Sequence, residues 1–374
     1  MKKFYKKTDL INLDQITEKT ASQQPKPKKN RKLTLLFIPV LLIIIVIVGI
    51  GTYCYWYITS FAQASKIPPE SILPQIKQGL QTSLKSDNQL TNILILGLEE
   101  EFQNGEASLL TNIIIILSYN HATHQLNLIS LPRDVWIDEF KTKINALYYY
   151  GELSPDTSGK KFANFVIHQI FGQPLHYTLV VKMSVIEKVV NALGGIKITV
   201  PQTFTDEHFS RQILVSNGTI EPIDPFETLT FRQGSQLMDG HTSHKYLKTR
   251  VSNNPQESPD FSRSLRQLQV FQALSLEIRQ RQTLADPHKI GTLYYLFRNE
   301  IDSSEISNPE FVSLLKQLAA NSPLDINLIS LPIIQENNSE LLYNPPISNN
   351  NQWVYESNHN NWSEINSYIK KNIK

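Results

Sequence analysis

The sequence predicts an α/β domain with a mixed central sheet flanked by helices, preceded by one transmembrane helix. Two observations support this fold class. Beyond residue 90, short apolar runs bounded by turn residues alternate with amphipathic segments, which is typical of layered α/β domains. Before that domain, residues 33–58 form an apolar run that contains no charged residue.

The apolar run at 33–58 predicts a transmembrane helix. It is longer than the roughly 20 residues that a bilayer-spanning helix needs, and it ends in an aromatic cluster suited to the headgroup interface. A long polar segment precedes it, which favours an uncleaved anchor over a signal peptide. Residues 1–32 contain ten basic and three acidic residues. The positive-inside rule therefore predicts a single-pass protein of the cell membrane with a cytoplasmic N-terminus and an extracellular C-terminal domain.

The charge distribution argues against nucleic-acid binding. The whole chain has 36 basic and 34 acidic residues, so the part beyond the basic tail has 26 basic and 31 acidic ones, a net charge of −5. An acidic domain gives no electrostatic support for contact with a phosphate backbone. The basic tail is suited to orient the anchor and to contact anionic membrane lipid. The single cysteine, Cys54, lies in the predicted span, so an intrachain disulfide is excluded.

Composition and periodicity divide the chain into five segments. These are a basic cytoplasmic tail at 1–32, the transmembrane helix at 33–58, a juxtamembrane segment at 59–90, a catalytic or binding core at 91–280, and a C-terminal part at 281–374 that packs on the core. The predicted strands are 92–97, 112–119, 125–131, 176–182, 195–200 and 327–332, the second and third forming an antiparallel hairpin. The predicted helices are 73–84, 144–150, 160–171, 184–193, 239–250, 263–280 and 311–320. Residues 202–236 are predicted to be loop with short strands.

The most informative stretch is the predicted strand 125–131, which is followed by a proline and then by Arg133 and Asp134. Charges just past the end of a buried strand lie at the sheet edge, where α/β proteins bind ligands. Arg133 is therefore a candidate anion-binding residue. Residues 327–332 repeat the hexapeptide of residues 127–132, but two isoleucines follow the repeat. The strand and proline alone thus indicate no function, and only the charged pair does.

A second group of cations is predicted near the start of a helix. Arg263 and Arg266 are three residues apart, so they share a face and can bind one group together. Cations at a helix start oppose the helix dipole unless a bound phosphate accepts from both the guanidinium groups and the free backbone N–H groups. The alternative is a solvated helix start with Asp260 as the N-cap and Arg263 as its ion-pair partner.

Other catalytic and metal-binding patterns are weak. His241 and His244 have a spacing compatible with one metal, but no third ligand is evident nearby, which favours a structural role. The sequence contains neither a GxSxG elbow nor a P-loop. Their absence argues against a serine hydrolase of the α/β type and against a Walker NTPase.

Taken in order, several motifs resemble those of the LytR–CpsA–Psr family. They span roughly residues 91–275 with compatible spacing, and a cytoplasmic tail, single span and external domain are also the layout of that family. The motifs are Asn92-Ile-Leu-Ile-Leu-Gly97, Leu128-Ile-Ser-Leu-Pro-Arg-Asp134, Lys143-Ile-Asn-Ala146 with Tyr148 and Gly151, His176-Tyr177, Asn191-Ala-Leu-Gly-Gly-Ile196 with Val200-Pro201, Leu237-Met-Asp-Gly240, Arg250, Asp260-Phe-Ser-Arg263 and Arg266-Gln267.

This resemblance implies a three-layer fold and the transfer of a glycopolymer, such as teichoic acid or capsular polysaccharide, from a polyprenyl pyrophosphate carrier to peptidoglycan. It also implies an apolar tunnel for the lipid, and arginines and a Mg²⁺ ion that hold the pyrophosphate. By position, the resemblance makes Arg133 and Arg263 the catalytic residues. The residues that it implies for pyrophosphate binding are Arg133, Lys143, Lys248, Arg250, Arg263, Arg266 and Gln267.

The implied metal site departs from the family pattern. The family's Arg-Ser-Asp-Thr falls on Leu110, Thr111, Asn112 and Ile113, so an amide replaces a carboxylate and a leucine replaces an arginine. The acid of the first motif falls on Glu99, which makes Glu99 and Asn112 the implied Mg²⁺ ligands. Asn112 can coordinate a metal through its carbonyl oxygen, but it cannot supply negative charge or act as a base.

Two functions therefore stay open. The first is an active Mg²⁺-dependent phosphotransferase with a modified metal site, in which Glu99, Glu100 or Glu101 could compensate as Mg²⁺ ligands for the missing carboxylate. The second is a non-catalytic relative that keeps the arginines and binds lipid-linked polymer or a cell-wall partner without turnover. A role as a transcriptional attenuator, an older label of the family, is disfavoured by the acidic external domain.

Overall fold

The computed structural model describes residues 31–99, 102–103, 106–107, 109–210, 226–250, 259–320, 326–334, 341–345, 352–357 and 361–373. The chain divides into two compact units, Met1–Tyr55 and Trp56–Lys374. The first unit is described from Arg31 onwards, and this described part belongs to a single apolar helix. The second unit contains all the strands of the described chain.

Helix α1, Arg31–Ser65, contains the stretch that can cross a membrane. Its apolar part is Pro39–Ser65, with a mean hydropathy of 2.2. Residues 39–56 are exposed, whereas Ala62 and Ser65 near the end of the helix are buried. The predicted apolar N-terminal helix is thus confirmed, and it fits a single-pass membrane anchor. It continues past residue 58 because no charged residue occurs before Lys66.

The remaining helices lie in the second unit. Pro69 occupies the first turn of α2, where its missing N–H costs no hydrogen bond, and so this helix begins before the predicted residue 73. The helices are α2 Pro69–Gln81, α3 Leu147–Leu153, α4 Gly159–Phe171, α5 Met183–Leu193, α6 Gly240–Lys248, α7 Pro259–Ile278, α8 Arg281–Leu284, α9 Pro287–Asn299, α10 Asn308–Ala320 and α11 Ser363–Asn372.

Six of the described strands form one mixed sheet, namely β1 Leu90–Leu98, β4 Thr111–Asn120, β5 Leu126–Ser130, β8 Tyr177–Lys182, β13 Ile301–Asp302 and β14 Ile326–Ser330. Their order across the sheet is β13-β8-β1-β4-β5-β14. The pairs β1–β4, β4–β5 and β13–β8 are antiparallel, whereas β1–β8 and β5–β14 are parallel. This confirms the mixed α/β fold and the predicted hairpin.

Helices cover both faces of the sheet, because its central strands are apolar on both sides. In β1, Ile93 and Ile95 enter one hydrophobic core, whereas Leu94 and Leu96 enter the other. The first core also contains Val190 of α5 and other residues of α7 and α9, and the second contains residues of α4 and α11. Alternate side chains of a strand point to opposite faces, and the run is therefore continuously apolar. The result is three layers.

The repeated hexapeptide forms two adjacent strands. β14 pairs in parallel with β5, and Asn327 lies directly opposite Asn127. Asn327 Nδ2 donates to Asn127 Oδ1 at 3.0 Å. Both strands are followed by a leucine and a proline, so both end at the same edge of the sheet.

Residues 202–236, predicted to be loop with short strands, contain β10 Phe204–Ser210, β11 Phe226–Phe231 and the start of β12 Gly234–Met238. Residues 211–225 lie outside the described residues. These strands are hard to recognise in the sequence, because polar residues lie on both of their faces. β12 pairs with β9, Ile196–Val200. The C-terminal part supplies both edge strands of the central sheet. The remaining short strands are β2 Phe102–Gln103, β3 Glu106–Ala107, β6 Trp136–Ile137, β7 Thr142–Lys143, β15 Ile333–Ile334, β16 Leu342–Tyr343 and β17 Glu356–Ser357.

Candidate anion-binding site

The candidate site lies at one edge of the central sheet, where three neighbouring strands place polar residues side by side. Glu99 directly follows β1, Asn112 is the second residue of β4, and Arg133 and Asp134 follow β5 after a leucine and a proline. Because β4 is antiparallel to both neighbours, its start meets their ends. The backbone N–H of Glu99 donates to the carbonyl of Leu110 at 3.1 Å, which extends the β1–β4 pairing into the site.

Glu99 is the centre of the first half of a hydrogen-bonded network. Lys248 Nζ lies 2.7 Å from Glu99 Oε1, and Asn112 Nδ2 donates to Glu99 Oε2 at 2.7 Å. Asn112 Oδ1 in turn accepts from Arg133 Nη1. Burial disfavours the ionised form of Glu99, but the Lys248 cation and the two hydrogen bonds outweigh burial and lower the pKa of Glu99. Glu99 is therefore a buried carboxylate held in its charged form.

Asp134 is the centre of the second half of the network. Its carboxylate lies 3.2 Å from Arg133 Nε and 2.7 Å from Lys143 Nζ. Burial again disfavours the ionised form, but Arg133, Lys143 and Arg263 outweigh it and lower the pKa of Asp134. Six side chains thus connect in one line across the sheet edge, from Lys248 at one end to Lys143 at the other.

A cavity of about 510 Å³ opens over this network. Six of its described lining residues are basic and two are acidic, so the lining carries a net positive charge and favours an anion. The lining residues are Glu99, Leu110, Asn112, Arg133, Asp134, Trp136, Lys141, Thr142, Lys143, Asn145, Ala146, Tyr150, Met183, Leu247, Lys248, Arg250, Arg263, Gln267 and Gln352.

The structure brings together nearly all of the site residues named from the sequence. Both implied metal ligands, Glu99 and Asn112, line the cavity. Gln267 does more than line it, because Gln267 Nε2 donates to the backbone carbonyl of Asn112 at 3.2 Å and so ties α7 to β4. The implied pyrophosphate-binding residues that line the cavity are Arg133, Lys143, Lys248, Arg250, Arg263 and Gln267.

Arg266 is the exception, and the expectation that it binds one group together with Arg263 is corrected. Arg263 lines the cavity, whereas Arg266 Nη2 donates to the carbonyl of Thr249 at 2.6 Å and its guanidinium lies 4.8 Å from the ring centre of Phe204. Three residues of helix correspond to about 300° of rotation, so two such side chains diverge by about 60°. Arg266 supports the chain beside the cavity. The alternative cap by Asp260 involves a side chain outside the described residues.

Several lining residues were not found from the sequence. Trp136 and Lys141 lie within ten residues of the Arg133 motif, and that proximity is the only available signal. Tyr150 lines the cavity, whereas Tyr148 of the family motif packs against the second hydrophobic core. The sequence does not indicate which of the three consecutive tyrosines faces the cavity, because that depends on the direction of α3.

The described residues do not fit a Mg²⁺ site. Mg²⁺ requires near-octahedral oxygen ligands. The cavity offers two described carboxylates, Glu99 and Asp134, and each of their four oxygens already has a hydrogen-bonded or ion-paired partner. Within the described part of the chain, no group of three His, Cys, Asp or Glu residues could hold a metal. The expectation that Glu99 and Asn112 bind Mg²⁺ therefore disagrees with this donor set, and residues 100–101 lie outside the described residues.

The two histidines of α6 face a carboxylate of the neighbouring helix. His244 Nδ1 lies 3.4 Å from Glu187 Oε2, and His241 Nδ1 lies 3.9 Å from Glu187 Oε1. Burial and the Lys248 cation lower the pKa of His244, although Glu187 and Glu99 oppose them. These contacts join α6 to α5, in agreement with a structural role for the pair.

A second cavity, of about 400 Å³, is lined almost entirely by apolar side chains. Tyr57, Phe61 and Ile72 form part of its wall on the side of α1 and α2, and Val189 and Ile278 form part of it on the side of α5 and α7. Several of its residues pack against the same hydrophobic core as Met183 and Leu247 of the cationic cavity. Both cavities thus border one face of the sheet.

Sequence comparison relates the chain to cell-wall transferases. The model of the LytR_cpsA_psr family matches residues 52–371. The polyisoprenyl-teichoic acid–peptidoglycan teichoic acid transferase TagU of Oceanobacillus iheyensis is 22% identical over 223 residues, which are 59% of this chain and 60% of the relative. The Bacillus subtilis transferases TagV and TagU are 24% and 25% identical, over 54% and 63% of this chain. The matched part spans 46% of that TagV and 68% of that TagU.

Solved structures share the fold. The crystal structure of Bacillus subtilis TagV superposes with a TM-score of 0.54 at 20% identity, covering 77% of this chain and 98% of that chain. Protein gbs0355 from Streptococcus agalactiae gives a TM-score of 0.54 at 19% identity, covering 78% and 91%. TagT bound to LI-WTA gives 0.51 at 17% identity, covering 78% and 95%.

Proposed function

The chain belongs to the LytR–CpsA–Psr family, and we propose that it transfers a glycopolymer of the teichoic acid or capsular polysaccharide type from a polyprenyl pyrophosphate carrier to peptidoglycan. Its relatives TagU and TagV are named as polyisoprenyl-teichoic acid–peptidoglycan teichoic acid transferases. The observation that carries the proposal is the cationic cavity at the sheet edge, because its positive charge, its volume and its guanidinium groups suit a pyrophosphate.

The charge of the cavity matches a diphosphate diester, which carries two negative charges. Six basic residues face two carboxylates among the described lining residues, and the excess is ample for that ligand. Arg133 and Arg263 both line the cavity, and both guanidinium groups lower the pKa of Asp134. Arg133 and Arg263 are therefore the proposed catalytic residues, and Lys143, Lys248, Arg250 and Gln267 bind the phosphates with them.

The apolar cavity supports a lipid-linked substrate. Its wall includes Tyr57 and Phe61, which belong to the last part of the candidate membrane span, so an isoprenoid chain bound there would contact that part of the helix. Burial of an isoprenoid chain against aliphatic and aromatic side chains is favourable by about 25 cal/mol per Å². The basic tail and the positive-inside rule support a cytoplasmic N-terminus and an extracellular domain, where peptidoglycan lies.

The proposed reaction is a phosphoryl-group transfer. A hydroxyl oxygen of peptidoglycan attacks the phosphorus that bears the glycopolymer, the bond from that phosphorus to the bridging oxygen breaks, and polyprenyl monophosphate leaves with the hydroxyl proton. The transition state of such a transfer needs stabilisation of its charge and alignment of the reacting groups more than it needs a strong base. Arg133 and Arg263 would neutralise the charge that develops on the bridging oxygen and on the oxygens of the transferred phosphoryl group.

A second candidate function is binding without turnover. Glu99 and Asp134, the carboxylates of the described lining, are both held in ion pairs with lowered pKa values, which makes each a poor general base. A site of this kind could retain lipid-linked polymer and present it to a partner. The two functions share the ligand and differ in whether the bridging bond is cleaved.

The test uses the full chain in detergent micelles with a polyprenyl-diphosphate-linked disaccharide and soluble peptidoglycan fragments. We expect release of polyprenyl monophosphate, and we expect Arg133→Ala to reduce the rate by about 10²-fold or more, because one preorganised cationic donor is lost. Product formation is followed by chromatography and mass spectrometry.

The matched control is Arg281→Ala, since Arg281 is exposed in α8, away from the cavity lining. It should leave the rate within about twofold of the wild type. Substrate binding without release of polyprenyl monophosphate would favour the binding function. No binding at all, or equal rates in wild type and Arg133→Ala, would exclude the proposed site.

A further inference from the structure

We propose that Asn112 replaces a metal ion in this site, so that pyrophosphate binding by this chain does not require a divalent cation. This inference rests on the proposed function, because it concerns the same ligand. It starts from the position of Asn112 between a carboxylate and a guanidinium, where its side chain contacts both Glu99 and Arg133.

The chemistry of the two neighbours determines the orientation of the amide. Nδ2 of Asn112 donates to Glu99 Oε2 at 2.7 Å, and Oδ1 accepts from Arg133 Nη1. The reverse orientation would place the amide oxygen against a carboxylate and the NH₂ group against a guanidinium, and both contacts would be repulsive. Asn112 therefore serves both neighbours at once without adding a charge.

An aspartate could not serve both neighbours. Two carboxylates in hydrogen-bond contact cannot both stay ionised unless a proton or a metal cation lies between them. With Asn112 the amide hydrogen takes that bridging place, and Glu99 keeps its negative charge for Lys248. The Asn112 amide, which does not suit a Mg²⁺ site, thus has a structural role, because it holds the ends of β1 and β4 together without a metal.

The cations of the lining supply the charge that a metal would otherwise bring. Lys141 is largely exposed and pairs with Asp138, so it contributes little. The other five basic residues outnumber the two carboxylates by three, which exceeds the two negative charges of a diphosphate diester. These five residues are Arg133, Lys143, Lys248, Arg250 and Arg263.

Calorimetry tests the inference. It measures the binding of farnesyl diphosphate to the full chain in detergent micelles, once in EDTA and once in MgCl₂. For the wild type we expect dissociation constants within about threefold of each other, because the protein supplies the positive charge. For Asn112→Asp we expect binding at least about tenfold weaker in EDTA, with recovery in MgCl₂, because a cation can then bridge two carboxylates. Electron paramagnetic resonance of Mn²⁺ without farnesyl diphosphate should detect bound metal in Asn112→Asp and not in the wild type.

The control is Asn299→Asp at the exposed end of α9, which should match the wild type in both buffers. Asn112→Ala is a second variant if Asn112→Asp does not fold, and it should weaken binding equally with and without Mg²⁺. If the wild type binds at least about tenfold more weakly in EDTA than in MgCl₂, the inference is overturned but the proposed function stands. Absence of wild-type binding in both buffers overturns the proposed diphosphate site, and this inference with it.

Discussion

At the scale of single residues, Asp134 organises the cationic side of the site. Its two carboxylate oxygens separate Arg133 from Lys143, and without them the two cations would repel each other across the cavity edge. The side chain of Asp134 is only 7% exposed, so water does little to screen these contacts. Asp134 is therefore a positioning residue that aims two cations at one ligand.

Stability should depend on the ionisation of Asp134. The pKa of Asp134 in the folded protein lies below its ordinary value of 3.8, because Arg133, Lys143 and Arg263 outweigh burial. Its contribution is therefore fully present above pH 3.8 and is lost as the pH falls through the lower folded pKa. We expect Asp134→Asn to cost about 2 kcal/mol near neutral pH and less as the pH falls below that window.

Urea unfolding in detergent micelles, followed by tryptophan fluorescence across this pH range, measures the difference between wild type and Asp134→Asn. Asp156→Asn is the control, because Asp156 is exposed and lies outside the cavity lining. A difference for Asp134→Asn that stays constant down to the lowest pH would contradict the assigned ion pairs.

At the scale of elements, the pairing of β1 with β4 sets the distance between Glu99 and Asn112. The regular register runs to Gly97, opposite Ile113, and then shifts between Gly97 and Leu98. A Cβ at position 97 would lie 2.7 Å from the Cβ of Ile113, a buried residue of the neighbouring strand. Glycine is therefore required here so that the two strands approach closely just before the site.

Replacing this glycine should disturb both stability and binding. We expect Gly97→Ala to cost about 1–3 kcal/mol, since the added methyl overpacks the sheet and the strand ends must separate. The same separation should weaken farnesyl diphosphate binding, because Glu99 is two residues from Gly97 and Asn112 is next to Ile113. Urea unfolding and calorimetry measure the two effects.

The control for the glycine substitution is Gly49→Ala, because a Cβ at position 49 meets no atom within 4 Å. It should leave both quantities close to those of the wild type. If Gly97→Ala weakened stability without any change in binding, the ends of β1 and β4 would not control the site.

At the scale of the whole molecule, the apolar helix and the basic tail predict how the chain crosses the membrane. In a Cys54→Ala background, a cysteine at Ser363 should react with a membrane-impermeant maleimide in intact cells, because Ser363 is exposed in the second unit. A cysteine at Ser22, in the basic tail, should react only after permeabilisation. Gel analysis of the labelled protein measures this, and the reverse pattern would invert the proposed orientation.

Much of the fold could be predicted from the sequence, because local pattern reflects burial directly. The uncharged run before Lys66 determined the apolar helix, and the continuous apolar runs around residues 93 and 114 determined strands buried on both faces. The strands within 202–236 were harder to predict, since half-exposed strands with polar residues on both faces lose the period-two signal.

The sequence by itself also determined that Arg133 and Asp134 lie at a sheet edge, because charged residues directly follow a buried strand and a proline. Only the tertiary structure decided which residues they meet. The spacing of Arg263 and Arg266 predicts that both bind one ligand, yet the rotation of the helix directs Arg263 to the cavity and Arg266 to the carbonyl of Thr249. The amide bridge of Asn112 likewise depends on three chain segments that meet in space, and sequence spacing carries no information about that meeting.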